Sequence, residues 1–181
     1  MRLLIFWGLI FLTYSCGQKQ NENADFLELR DNLPQIETPI TFDSNSDIAL
    51  KSIDLPNNQI LKRLKDRNYF SVLGKVFETK DFITIVGYIP DDFGTPILVT
   101  LDKDGNQIDS FSLYKTVGFD MGYYRSNFVT INSDKTIVLI DSLLTLEINE
   151  DRTNEILGTD SLTVTKNKFR LTDKGTIEII E

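Results

Sequence analysis

The sequence predicts a mainly β fold, an antiparallel meander of hairpins forming a sheet, a sandwich or a partly closed barrel, with one short helix. Three observations predict it. Beyond residue 70, runs of β-branched and aromatic residues alternate with polar ones at a period of two. Turn signals rich in Asp, Asn and Gly interrupt those runs at short intervals. Only one stretch places an apolar stripe at helical spacing behind a good cap.

The elements follow in chain order. Of the 181 residues, Met1-Arg2 opens the chain and a ten-residue apolar run, Leu3 to Leu12, follows. That run is too short to cross a bilayer core of ~30 Å as a stable helix, and residues 1–15 are expected to be a signal peptide. Where the run ends stands Leu12-Thr13-Tyr14-Ser15-Cys16-Gly17, a small residue before the single cysteine of the chain. This resembles a bacterial lipoprotein lipobox, with Thr13 where the strong form carries leucine. The resemblance implies that Cys16 receives a diacylglycerol, becomes the first mature residue and is acylated again, for example with palmitate. Several acyl chains at ~0.8 kcal/mol per buried CH₂ make such an anchor nearly irreversible.

Residues 16–34 are expected to be a lipidated cysteine and a flexible tether. Gly17 to Asp25 offers nothing apolar beyond Ala24, and the weak pattern of Phe26, Leu27, Leu29 and Leu33 runs into Pro34. The spacing suggests linker with at most one helical turn, and a β-rich domain over 35–181. The helix is expected from Pro56 to Arg67, capped by Asp54 or Asn57. Ile60, Leu61 and Leu64 share one face of it, and Lys62, Arg63, Lys65 and Asp66 share the other.

The strands come next. Phe70 to Val76 alternates and should be half-exposed, whereas Phe82 to Ile89 and Ile97 to Leu101 are near-continuous apolar runs that should be buried on both faces. Ile108 is out of phase with Phe111 and Leu113, which suggests a bulge near Asp109 and Ser110. Leu144, Leu146 and Ile148, then Leu162 and Val164, then Ile177 and Ile179 alternate cleanly, each strand with one wet face. The hairpins at 98–105, 128–135 and 169–175 look alike, but the chain is too short for a propeller of blades of ~40 residues. Leader, polar tether and Thr-rich hairpins together resemble the small uncharacterised lipoproteins of Gram-negative envelopes. That likeness implies lipid anchorage to a membrane of the bacterial cell envelope, the outer membrane being expected, with its periplasmic or surface face left open. It imports no activity.

Composition narrows the chemistry. With 19 basic and 27 acidic residues the net charge is −8, and without a basic run the chain is a poor partner for nucleic acid. It contains no histidine, which excludes Ser-His and Cys-His nucleophile pairs and His-ligated metals. No cofactor and no metal is expected. Asp102, Asp104 and Asn106 have the alternate spacing of a calcium loop, but Gln107 stands where its glycine belongs and Leu113 where its last carboxylate belongs. A hairpin turn is the better reading. Asp91 and Asp92 in a Pro/Gly loop read as turn residues before they read as a catalytic pair.

The best binding candidate is the segment from Gly118 to Arg125, read as a mobile loop with Phe119, Asp120, Tyr123, Tyr124 and Arg125 as its ligand-facing residues. The expected function is a membrane-anchored envelope lipoprotein with a non-catalytic β domain that contacts a protein or glycan ligand. The alternative is a carboxylate-dependent hydrolase of envelope or extracellular glycans, which would need two carboxylates converging at ~5 to 10 Å in a cleft.

Overall fold

The computed structural model describes residues 18–46, 48, 51–68 and 70–180. The apolar leader and Cys16 lie outside these residues. Three layers stack: two helices, a central sheet and an outer sheet. No described helix is long and apolar enough to cross a membrane.

The central sheet is a meander of β2 (Ser71–Glu78), β3 (Phe82–Ile89), β4 (Thr95–Asp102) and β5 (Gln107–Ser112), in that spatial order. The outer sheet runs β1 (Ile40–Asp43), β7 (Tyr123–Ile131), β8 (Thr136–Thr145), β9 (Ser161–Leu171) and β10 (Ile177–Ile179). The short β6 (Gly118–Asp120) shares with β1 one edge of β7. All these strand pairs are antiparallel and neither sheet closes on itself, so the fold is a sandwich with helices on one side. Leu73, Val76, Val86 and Leu98 of the central sheet meet Val129, Ile131, Leu139 and Phe169 of the outer one. On its other face Val72, Ile83, Ile85 and Val99 meet the helices.

This layering explains why β3 and β4 read as unbroken apolar runs: both of their faces are interior. It also corrects the expectation for β2, which is buried on both faces as well. Val72 faces the helices and Leu73 the outer sheet, and the register shifts at Val72/Gly74 and Lys75/Phe77 bring the neighbours Val76 and Phe77 into the same core. The bulge expected near Asp109 is found one residue earlier. Thr100 faces Asp109 while Leu101 faces Gln107, which leaves Ile108 as the extra residue.

The tether expected before Gln35 is corrected most. Residues from Gln18 to Asn32 form a helix, α1, and its Phe26, Leu29 and Leu33 are buried against the central sheet and against the second helix, α2 (Gln59–Asn68). The three sit at spacings of three and four, one helical stripe, and Pro34 ends the helix. The cap of α2 is Asn58 rather than Asp54 or Asn57. Its Oδ1 accepts the Leu61 N–H at 3.0 Å, and its amide donates to the Asp25 carbonyl and the Glu28 carboxylate of α1. One buried side chain thus starts one helix and fastens it to the other.

The likeness among the hairpins is geometric as well as compositional. In the turns at 102–106, 132–136 and 172–176 the first residue's N–H bonds the fifth residue's carbonyl. The fourth residue, Gly105, Lys135 or Gly175, adopts positive φ. Asp102 takes the N–H groups of Asp104 and Asn106 with one oxygen and the Asn106 amide with the other, the role of a turn residue.

Candidate functional site

The segment from Gly118 to Arg125 is a tight hairpin, not a mobile loop. Gly118, Phe119 and Asp120 pair with Arg125, Tyr124 and Tyr123, and Met121 and Gly122 make the turn. Gly122 has φ of +72°, and a Cβ there would lie 2.7 Å from the Leu146 carbonyl oxygen, so glycine is required on two grounds. Pairing then sorts the five candidate residues onto opposite faces of the sheet, because partners across strands share a face and neighbours along a strand do not. Phe119 and Tyr124 lie together on the outer face. Tyr123 and Arg125 lie on the inner one, and Asp120 sits exposed beside the turn.

On the inner face Arg125 closes the end of the core. Its Nε donates to Asp141 Oδ1 at 2.8 Å and its Nη2 donates to Asp141 Oδ2, a bidentate pair. The Asn127 amide adds a bond to the same Oδ1 at 2.8 Å, while its own Oδ1 accepts the Lys115 N–H. Asp141 is only 6% exposed. The Arg125 hydrogen bonds hold its pKa below the usual carboxylate range, desolvation opposes this, and the Arg125 charge and Asn127 reinforce it. Arg125 shifts upward for the same reason. Its guanidinium is thereby committed to the fold. Asp141 was not singled out from the sequence, yet it interrupts the run Ile137-Val138-Leu139-Ile140 at an inward position, the signal that would have found it.

On the outer face a row crosses four strands. Phe119 faces Tyr124, Tyr124 faces Leu144 and Leu144 faces Leu162. Phe119 is 77% exposed, Leu162 62% and, one step along β9, Val164 56%. The expectation that Leu162 and Val164 face a core is corrected by register. Phe169 and Leu171 point inward, so a period of two sends the even-numbered residues of β9 outward. The Tyr124 hydroxyl donates to Glu155 Oε1 at 2.6 Å, and the Gly122 N–H bonds the same oxygen at 2.8 Å. This pins the excursion after β8 against the hairpin. The shared hydrogen bond raises the Tyr124 pKa and lowers that of Glu155.

The row itself lines a cleft of about 1010 Å³ that reaches to where β1 and β6 leave a gap along the edge of β7. Ser44, Ile48 and Tyr88 line it together with Asp91 and Asp92 of the β3–β4 turn, which are its carboxylates among the described residues. Desolvation tends to raise the Asp91 pKa, but the Thr95 hydroxyl and the N–H groups of Thr95, Phe93 and Gly94 outweigh it and keep the carboxylate low. Asp91 is therefore a turn-holding anion. No second carboxylate converges on it from another element of the cleft. Among the described residues, no group of three or more His, Cys, Asp or Glu is placed to hold a metal.

In comparisons with protein families, curated proteins and solved structures, no family model, curated sequence or solved structure matches this chain.

Proposed function

We propose that the chain is an envelope lipoprotein, anchored at Cys16 to the outer membrane, whose sandwich binds a protein partner through the outer face of β6 to β9 without catalysis. The observation that supports the binding reading is the row of Phe119, Tyr124, Leu144 and Leu162, a contiguous apolar strip, exposed at all but the half-buried Leu144, that lines the cleft. Two of the four are leucines. Sugars reward flat aromatic faces, whereas leucines reward another apolar side chain, so a polypeptide fits better than a glycan. Asp91, Asp92, Asp120 and Glu155 stand around the strip, which selects an apolar segment flanked by basic residues.

Anchorage and binding are tested separately. Metabolic labelling with a fatty acid should mark the wild-type chain and leave Cys16→Ser unlabelled and released from the membrane; a labelled, membrane-bound Cys16→Ser chain overturns the anchor. For the face, a photo-crosslinking phenylalanine analogue at position 119 should give one discrete protein adduct in cells. The same analogue at Asp66 on α2 should give none. Tyr124→Ser should remove the adduct with the melting temperature nearly unchanged. Equal adducts at both positions, or competition by soluble envelope glycans, would sink the protein-partner reading.

A further inference from the structure

The outer sheet has an unfinished edge. β9 is eleven residues long and β8 pairs with it from Ser161 to Arg170, but β10 covers only Phe169 to Leu171, and the Ile180 N–H closes on the Lys168 carbonyl. Among the described residues nothing pairs with β9 between residues 161 and 167. Its backbone orientation follows from two bonds. The Leu171 N–H goes to the Lys135 carbonyl on the β8 side, and the Lys168 carbonyl goes to the β10 side. Alternation then aims the N–H and C=O groups of Leu162, Val164 and Lys166 at the open edge, while Ser161, Thr163 and Thr165 serve β8. An exposed edge of this length is a template for another strand.

We propose that this edge pairs with the same edge of a second copy of the chain, antiparallel about a two-fold axis at Thr163, joining two outer sheets into one. The argument is self-complementarity. With Thr163 opposite its own copy, Leu162 faces Val164 of the second copy and Asp160 faces its Lys166. The two-fold axis repeats both pairs. The open backbone groups of residues 162 and 164 then meet as hydrogen-bonded pairs. The two apolar side chains that are most exposed on this strand cover one another, and exposed Asp160, just before β9, and Lys166, some 20 Å apart along one extended chain at ~3.4 Å per residue, become neighbours of opposite sign. A lysine on an edge strand ordinarily repels an added strand. Here the copy brings an aspartate to it. The pairing shares Leu162 with the row that runs from Phe119, but it rests on the backbone edge of β9 rather than on that row.

The contact is small beside the ~1,600 Å² of a standard interface, so trapping suits it better than sizing in dilute solution. Thr163→Cys in the full chain places two thiols on a non-hydrogen-bonded pair about 4.5 Å apart between Cα atoms, within disulfide reach. Mild oxidation in cells should convert this variant to a covalent dimer on a non-reducing gel. Thr165→Cys, whose copies lie about 14 Å apart in this register, should stay monomeric, as should the wild type with its own Cys16. Adding Val164→Pro removes an N–H that faces the open edge and no bond to β8, so the dimer should vanish while the fold survives. Lys166→Glu should weaken the crosslink and Asp160→Lys with Lys166→Glu should restore it. Equal crosslinking of Thr163→Cys and Thr165→Cys, no crosslinking of Thr163→Cys, or no rescue by the double charge reversal overturns the proposal.

Discussion

Asp141 is the residue on which the end of the sandwich depends. It takes three side-chain donor contacts from Arg125 and Asn127, so truncating it removes the counter-charge of a guanidinium and one acceptor of a buried amide together. Asp141→Ala is expected to cost about 3 kcal/mol, read from the shift of the urea midpoint, because removing one partner of a buried pair leaves the other uncompensated. The pH dependence has a definite sign. A carboxylate whose folded pKa is depressed contributes stability above its unfolded pKa, and that contribution disappears as the pH falls toward the folded value. The wild type should therefore lose stability below about pH 4, the ordinary aspartate range, and Asp141→Asn should lose less over the same interval. That a partner was needed at Asp141 is legible from one acidic residue in an apolar strand. That the partner is Arg125 is not, because only the register of β7 against β8 brings position 125 beside 141.

At the scale of elements, α1 separates the sequence reading from the structure most sharply. Gln18 to Ala24 is polar and contributes nothing that periodicity could detect, so the helix rests on Phe26, Leu29 and Leu33 finding a surface made by strands about 50 residues later. Leu29→Ala is expected to cost about 2 to 5 kcal/mol, as for other fully buried leucines, where a tether would have shown no change. A chain starting at Gln35 should likewise melt lower than one starting at Gln18, since it uncovers Leu61 and Leu64. Equal thermal midpoints for the two chains would refute the packing of α1. The hairpins were easier to read, because a turn is specified by residues adjacent in sequence, as Asp102 and Gly105 are. The outward side of β9 was harder. Leu162 and Val164 satisfy the alternation of a buried strand, and the inward parity of Phe169, seven residues beyond Leu162, is what decides their face.

For the whole molecule, the unbroken apolar runs of β3 and β4 already implied a layer covered on both sides, and the central sheet is that layer. Its covering partners could not be read, since one includes a helix whose first half is polar and the other is a sheet whose alternation does not say which of its faces turns inward. Because the two cores share the central sheet, they should unfold together. Leu29→Ala in the helical core and Leu139→Ala in the core between the sheets should each move a single transition, with far-ultraviolet and tyrosine signals coincident. Two separated transitions in either variant would show the layers to be independent.

The pairing of β1 with β7 sets an order on assembly. Every other strand of the two sheets finds a partner next to it in the chain, but Ile40 must wait for Ile131 and Phe42 for Val129. In a polypeptide delivered from its N-terminus, the central meander has all its strands in hand while β1 still trails unpaired beside it. Phe42, 5% exposed once docked, is bare throughout that interval. A holding factor that shields emerging chains would find its most persistent target at residues 40–43, and release from it would be timed by the arrival of residues 128–131.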